Sequence, residues 1–161
     1  MSTPTIHLYT DGSARGNPGP GGYGAILRYG PHEKELTQGF RLTTNNRMEL
    51  LAVIVGLEAV TRPEIPVLVV SDSKYVVDAV VQRWVFNWER KPDFAKKANE
   101  DLWRRFLKVY RQRTVTFRWI KGHAGHAENE RCDRLAVASA LGRGLPADDG
   151  YERIAAATPL L

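Results

Sequence analysis

Val67-Leu68-Val69-Val70 and the Ser71-Asp72 pair that follows it decide the fold of this chain. A continuous apolar run of this kind is typical of a strand buried on both faces in a parallel sheet. Three segments upstream have strand-like composition, which favours neighbouring antiparallel strands. Downstream, helical and strand-like periods alternate. The sequence therefore predicts an α/β fold in which helices cover a mixed sheet.

Each predicted element has its own periodicity. Strands are expected at residues 5–10, 23–29, 34–42, 67–71 and 115–120, and helices at 46–60, 75–81, 101–110 and 127–141. Residues 16–24 are rich in Gly and Pro, which predicts a loop, and residues 84–98 are expected to be irregular or to form short helices. Residues 1–142 should therefore form one domain, followed by a flexible tail at 143–161.

Length and composition exclude several classes of protein. The chain has 161 residues, of which 43% are hydrophobic and 25% charged, and this balance suits one folded domain and excludes a disordered chain. No apolar run approaches the roughly 18 residues of a membrane helix, and the first residues lack the pattern of a secretion signal. The single cysteine, Cys132, is typical of a reducing cytosol. Without an apolar interface stripe, a cytoplasmic monomer is expected.

The positive charge of the chain is concentrated in one segment. The net charge is +5, yet residues 83–118 contain eleven Lys or Arg and only four Asp or Glu. Most charge runs are solvated helix faces, but Trp84, Trp88 and Trp103 lie within this one. A nucleic-acid groove needs aromatic rings for stacking and cations for phosphate neutralisation. The segment therefore indicates a polyanionic partner.

Two apparent motifs carry little weight. The dinucleotide fingerprint is matched at residues 19–24, but that motif must follow a strand and open a helix, whereas here a strand follows. His123, His126 and Cys132 have irregular spacing for zinc and no CxxC accompanies them. The sequence therefore predicts neither a small-molecule cofactor nor a structural zinc ion.

Four acidic residues are the candidates for chemistry. Asp11 and Asp72 each follow a predicted strand, whereas Glu49 and Asp133 lie in predicted helices. Each one alone can be explained as a turn, a cap or a surface charge. Together they would converge, because the two strands should be neighbours. Converging carboxylates repel unless cations neutralise them, oxygen ligands select Mg²⁺ or Mn²⁺, and two such ions are a recurrent means of phosphodiester cleavage.

Five blocks of sequence occur in order along most of the chain. They are Tyr9-Thr10-Asp11-Gly12-Ser13, residues 16–24, residues 44–49, Ser71-Asp72-Ser73, and residues 121–126 followed by 129–133. Together they resemble bacterial ribonuclease H of type 1. The resemblance implies a five-stranded mixed sheet in the order 3-2-1-4-5 with helices on both faces. It also implies an endoribonuclease that cuts the RNA strand of RNA–DNA hybrids and leaves 5′-phosphate and 3′-hydroxyl ends.

The resemblance assigns roles to positions within residues 1–142, the implied catalytic domain, whose basic protrusion would occupy residues 83–100. Asp11, Glu49, Asp72 and Asp133 would hold two Mg²⁺ or Mn²⁺ ions, and His123 would assist proton movement or product release. The implied substrate-binding positions are Asn17, Asn45 and Lys74 near the RNA strand, Thr44 and Asn99 at a DNA-phosphate pocket, and Trp84 and Trp88 in the protrusion.

The chain departs from the family pattern around the substrate. The protrusion is short and lacks a third tryptophan, and Lys74 stands where Gln is common. Leu42 occupies the position of a basic residue, with Arg41 next to it. A one-residue shift in a strand turns a side chain to the opposite face. These departures concern the DNA-strand contacts rather than the metal site.

Two other functions are compatible with the residues. One is another ribonuclease H-like metal nuclease, of the resolvase or transposase-core type, and the other is a non-catalytic hybrid-binding module. The blocks at 44–49 and 121–126 favour the ribonuclease over the first. In a non-catalytic hybrid-binding module, four carboxylates would repel the polyanionic hybrid and weaken its binding.

Overall fold

A five-stranded mixed sheet forms the centre of the protein. The structure, a computed structural model, describes residues 4–157. Its strands are β1 (Ile6–Ala14), β2 (Gly19–Tyr29), β3 (His32–Thr43), β4 (Val67–Ser71) and β5 (Val115–Trp119). Their order is β3-β2-β1-β4-β5, with antiparallel pairing within β1–β3 and parallel pairing of β1 with β4 and β4 with β5. The implied sheet order is confirmed.

Helices cover both faces of this sheet. Within residues 4–157 they are α1 (Asn45–Glu58), α2 (Lys74–Val81), α3 (Trp84–Glu89), α4 (Glu100–Tyr110), α5 (Ala127–Ala140), α6 (Asp149–Ala157) and a 3-10 helix at Pro92–Lys96. A Cβ at Gly12 of β1 would meet α1, whereas a Cβ at Gly24 of β2 would meet Cys132 and Leu135 of α5. Gly24 pairs with Asp11, the residue before Gly12, so α1 and α5 lie on opposite faces of the sheet. No helix of the described part of the chain has the length and apolarity needed to cross a membrane.

The main core lies between the sheet and α1. Leu8 of β1, Val69 of β4 and Ile54 of α1 are fully buried, and the side chain of Leu8 lies against Gly56 of α1. Burial of each such side chain stabilises the fold by roughly 1.5–3 kcal/mol. Trp103 of α4 belongs to this core, with no exposed surface. Its predicted place in a nucleic-acid groove is therefore wrong.

The first hairpin is longer than the sequence predicts. β1 does not end before Asp11 but continues to Ala14, and β2 begins at Gly19 inside the expected loop. The antiparallel pairing of Asp11 with Gly24 and of Ala14 with Gly21 spans this region. A Cβ at Gly21 would lie 2.6 Å from the Ser13 carbonyl oxygen. Glycine therefore permits close strand pairing here, although its composition resembles a loop.

The expected flexible tail at 143–161 is wrong for residues 143–157. Asp148 is buried and accepts hydrogen bonds from Thr43 Oγ1 at 2.7 Å and Arg47 Nε at 2.8 Å. The amide of Arg41 donates to the Pro146 carbonyl at 2.9 Å, and α6 follows. The buried Arg47 guanidinium, which also pairs with Asp101, requires these carboxylates. Residues 158–161 of the expected tail lie outside the described residues.

We predict that Asp148→Ala lowers the free energy of unfolding by about 3 kcal/mol, the low end for breaking a buried ion pair, because Arg47 keeps Asp101. The matched control is Glu152→Ala, which removes the exposed ion pair between Arg41 and Glu152. That change should cost less than about 1 kcal/mol. Denaturant unfolding of both variants measures the difference, and equal losses would contradict the assigned role of Asp148.

Candidate active site

Three carboxylates meet at one edge of the sheet. Asp11 lies in β1, Asp72 follows β4, and Glu49 lies in the second turn of α1. Each offers a carboxylate oxygen, and these oxygens lie within 4.8 Å of one another. Among the described residues, this is the group of acidic, His or Cys side chains whose spacing suits a metal ion. The structure therefore brings three of the four predicted acidic residues together.

Local backbone geometry brings these carboxylates together. The parallel register pairs Thr10 with Ser71, so Asp11 and Asp72 follow matched positions on neighbouring strands. α1 crosses β1 so closely that a Cβ at Gly12 would lie 2.3 Å from the amide nitrogen of Glu49. α1 begins after Thr44, whose hydroxyl accepts a hydrogen bond from the Arg47 amide at 3.3 Å. The N-cap is thus Thr44, and the helix begins at Asn45, one residue before the expected start at residue 46.

The electrostatics of the group favour bound cations. Burial and then the charge of Asp72 raise the pKa of Asp11 to about 7. Burial and the charges of Asp11 and Asp72 raise the pKa of Glu49 well above its ordinary value. Burial also raises the pKa of Asp72. Glu49 Oε2 is buried and has no hydrogen-bond partner among the described residues. An unsatisfied oxygen in an all-oxygen group fits a hard divalent ion such as Mg²⁺ or Mn²⁺.

Asp133, the fourth predicted acidic residue, lies outside the group of three. It is half-buried on α5, and its charge contributes to the raised pKa of both Asp11 and Asp72. Asn129, one turn earlier on α5, is buried and hydrogen-bonds to Asp72, which offsets part of the rise that burial causes in the pKa of that carboxyl. Sequence reasoning assigned Asn129 no role, although its spacing of four residues from Asp133 places both on one helix face.

His123 lies in an exposed loop beside Asp72. A positive charge on His123 offsets part of the rise that burial causes in the pKa of the Asp72 carboxyl. The preceding Gly122 is close enough that a Cβ there would lie 2.6 Å from Asp72 Oδ2. His123 itself has a φ of 55°, in the left-handed region. The structure therefore places the predicted proton-handling residue at the edge of the acidic group.

Asn17 and Asn45 link the first hairpin to the start of α1. The amide nitrogen of Ala14 donates to Asn45 Oδ1 at 2.6 Å, and the amide nitrogen of Asn45 donates to Asn17 Oδ1 at 3.1 Å. Both side chains are exposed, and in each the oxygen accepts a hydrogen bond from the backbone, whereas the NH₂ group is a hydrogen-bond donor. Lys74 is exposed at the start of α2, two residues after Asp72.

Thr44 and Asn99 line one cavity of about 270 Å³. Asn99 donates from Nδ2 to the Tyr75 hydroxyl at 2.9 Å, which fixes its amide. The cavity is also lined by Arg47, Ala98, and Tyr151, Ile154 and Ala155 of α6. Arg41, the basic residue next to Leu42, is ion-paired with Glu152 of α6 at 2.9 Å. Thr44 and Asn99 thus line the same cavity, and one wall of that cavity comes from α6, within the segment that was expected to be a flexible tail.

Only some of the residues that were predicted to form a binding surface on the protrusion are exposed to solvent. Trp84 is 47% exposed, whereas Trp88 is partly buried against Trp103, with the Lys97 ammonium 5.3 Å from its ring centre. Several arginines of the basic segment are engaged in ion pairs, namely Arg104 with Glu100, Arg105 with Glu58 and Arg111 with Glu89. Ion pairs of the described residues do not include Lys91, Lys96 or Lys97. These exposed lysines are therefore among the positive charges that a partner can reach.

Comparison with known proteins agrees with this geometry. The family model described as RNase H matches residues 3–141. The chain belongs to the ribonuclease H family. It is 52% identical over 147 residues to the ribonuclease H of Desulforamulus reducens, covering 89% of this chain and 92% of the relative. It is 50% identical over 151 residues to that of Rippkaea orientalis, covering 91% and 92%.

Solved structures of ribonucleases H are also similar. LC9-RNase H1, described as a type 1 enzyme with the type 2 active-site motif, has a TM-score of 0.76 at 33% identity, over 97% of this chain and 82% of that one. LC11-RNase H1, solved in complex with an RNA/DNA hybrid, has a TM-score of 0.65 at 25% identity, over 91% and 99%. Membership of this family of enzymes confirms the implied fold and enzyme class.

We predict that Asp11→Asn stabilises the metal-free enzyme in a pH-dependent way. The folded state keeps a proton on Asp11 up to about pH 7, whereas the unfolded chain releases it near pH 4. Stability should therefore fall as the pH rises from about 4 to about 7. The variant lacks this loss, so it should gain about 1–3 kcal/mol at pH 8 and close to nothing at pH 4.

Denaturant unfolding in EDTA at both pH values measures this gain. The matched control is Asp93→Asn, which changes an exposed aspartate outside the acidic group. An equal gain for Asp11→Asn at both pH values would show that the charge of Asp11 is not the cause.

Proposed function

We propose that the chain is an endoribonuclease that hydrolyses the RNA strand of RNA–DNA hybrids and leaves 5′-phosphate and 3′-hydroxyl ends. The observation that carries this proposal is the group of three carboxylates within 4.8 Å, on a protein that also exposes lysines and Trp84. Carboxylates alone would repel a polyanion, so the combination makes sense for cleavage with bound cations. The structural similarity to LC11-RNase H1, solved with a hybrid, supports the same substrate.

Asp11, Glu49, Asp72 and Asp133 would hold two Mg²⁺ or Mn²⁺ ions. The all-oxygen donors and the unsatisfied Glu49 Oε2 fit such ions. When bound, they would supply an activated water and stabilise charge on the leaving 3′ oxygen. Asn129 would orient Asp72 through its hydrogen bond, and Asp133 would add negative charge from α5. His123, in its exposed loop, would take up or release a proton near Asp72.

Selection of a hybrid requires contacts that differ between the strands. Asn17, Asn45 and Lys74, which are exposed, would contact the RNA strand and its 2′-hydroxyls, which DNA lacks. Thr44 and Asn99 would contact a phosphate of the DNA strand in the cavity that they line. Trp84, Trp88 and the exposed lysines would bind the hybrid without reading its bases.

The proposal extends to the cellular setting. We propose a cytoplasmic monomer that needs no small-molecule cofactor. Removal of RNA primers during DNA replication and clearance of RNA–DNA hybrids from the genome would both use this activity.

The decisive experiment is a cleavage assay with labelled RNA–DNA hybrid, duplex DNA and duplex RNA, each in Mg²⁺ and in EDTA. We expect cleavage of the hybrid alone, only with the metal ion, and none by Asp72→Asn. Cleavage of duplex or branched DNA would instead indicate a resolvase- or transposase-type nuclease. Hybrid binding without any cleavage would indicate a non-catalytic module. Full activity of Asp72→Asn would contradict the metal site.

We predict that His123→Ala lowers kcat by about 100-fold or less, the weaker end of general acid–base catalysis, with little change in hybrid affinity. The reason is that His123 lies beside Asp72 but is not one of the three grouped carboxylate ligands. His32→Ala, in the distant hairpin of β2 and β3, is the control and should retain full activity. A loss as complete as that of Asp72→Asn would make His123 a ligand or a structural residue.

We predict that replacing Lys91, Lys96 and Lys97 together by Ala raises KM with little change in kcat, because these exposed lysines act on binding alone. Each lost phosphate contact should lower the slope of log affinity against log salt by roughly 0.7–0.9. Hybrid KM at several salt concentrations measures both effects. Lys34→Ala, at the far end of β3, should leave the slope unchanged.

Trp84→Ala separates apolar from ionic contributions in the same assay. Since Trp84 is 47% exposed, its removal should cost less than about 1 kcal/mol of stability. Hybrid affinity should fall with a smaller change in salt slope, because the lost contact is apolar. An unchanged KM in both the lysine variant and Trp84→Ala would exclude a substrate-binding role for the protrusion.

A further inference from the structure

Trp119, at the end of β5, lies directly beside the acidic group. Its position in the parallel register is opposite Ser71, the residue before Asp72. Its indole Nε1 donates a hydrogen bond to the backbone carbonyl of Asp72 at 3.0 Å. The ring is nevertheless 42% exposed. One edge of this tryptophan is therefore fixed to the backbone of a metal-site residue, while much of its surface is open to solvent.

A cation lies against the same ring. The Lys74 ammonium is 4.9 Å from the centre of the Trp119 ring, and Lys74 is itself exposed. This cation–π contact holds the ammonium near the ring rather than leaving it free in solvent. An aromatic face and a positive charge thus lie together, two residues along the chain from Asp72.

The ring of Trp119 is far more exposed than that of the core tryptophan. Trp103 has no exposed surface, whereas Trp119 leaves 42% of its surface exposed. The hydrogen bond to Asp72 satisfies the indole N–H without covering the ring. Aromatic rings paired with cations bind the sugars, bases and phosphates of nucleic-acid strands. The part of the substrate nearest to Asp72 is the strand whose phosphate is cleaved.

We infer that Trp119 is a substrate-contacting residue: its exposed ring, with the Lys74 ammonium beside it, contacts the RNA strand next to the phosphate that is cleaved. The inference rests on the proposed function, since it takes the RNA strand of a hybrid as the substrate. It adds to the predicted RNA-strand residues Asn17, Asn45 and Lys74 a residue on β5, and it gives Lys74 a defined position against an aromatic surface.

The test measures binding of a labelled hybrid by fluorescence anisotropy. The measurement is made at low salt in EDTA, so that metal ions do not contribute to the affinity. Trp119→Ala should raise the Kd about five- to tenfold, the weaker end of a lost stacking contact. Trp119→Phe, which keeps an aromatic ring, should raise it by about twofold. Lys74→Met should lower the slope of log affinity against log salt by about 0.7–0.9, whereas Trp119→Ala should leave that slope nearly unchanged.

Two matched controls use the far end of the sheet. Tyr29→Ala removes an aromatic residue of similar exposure, 37%, and Lys34→Met removes an exposed lysine, and neither should change hybrid affinity. A Kd of Trp119→Ala equal to that of the wild type, or an equal loss in Tyr29→Ala, would overturn the inference. If thermal melting shows that Trp119→Ala is unfolded, then Trp119→Phe and Lys74→Met provide the test. The inference would be overturned if both variants had the hybrid affinity and the salt slope of the wild type. A wild-type protein that binds no hybrid would instead refute the proposed function.

Discussion

The close crossing of α1 over β1 at Gly12 is the constraint on which the active site depends. No side chain can stand between the Gly12 backbone and the amide of Glu49, since even a Cβ would approach to 2.3 Å. This contact brings Glu49 to Asp11, and the parallel pairing of β1 with β4 brings Asp72. Three like charges are therefore held together by backbone packing and a buried core, against their mutual repulsion.

The distribution of charge follows from this arrangement. The acidic group costs stability in the absence of metal, as the raised pKa of Asp11 shows. Several arginines of the basic segment are neutralised by nearby carboxylates, for example Arg105 by Glu58 and Arg111 by Glu89. The exposed lysines of the protrusion are not among these ion pairs. A polyanion would thus be attracted to the protrusion rather than to the metal-free acidic group.

Much of the fold could be predicted because local periodicity and topology agree. The alternation of β5 and the apolar run of β4 are matched by the structure, as is the convergence of Asp11, Glu49 and Asp72. Composition predicted the wrong structure at two places, where packing in the folded protein outweighed the usual preference of the residues. The Gly-rich start of β2 pairs as a strand because glycine permits close approach, and Trp103 is core although cations flank it in sequence.

Long-range pairing could not be predicted from local sequence. Arg47 looks like an ordinary helix residue, and nothing in its neighbourhood identifies Asp148, 101 residues further along, as its partner. That separation also has a consequence for synthesis of the protein on the ribosome. The buried charge of Arg47 gains its second carboxylate, and the cavity at Thr44 gains its wall of Tyr151 and Ile154, only after α6 has been made. The nascent chain therefore completes this side of its surface only after all five strands of the sheet have been translated.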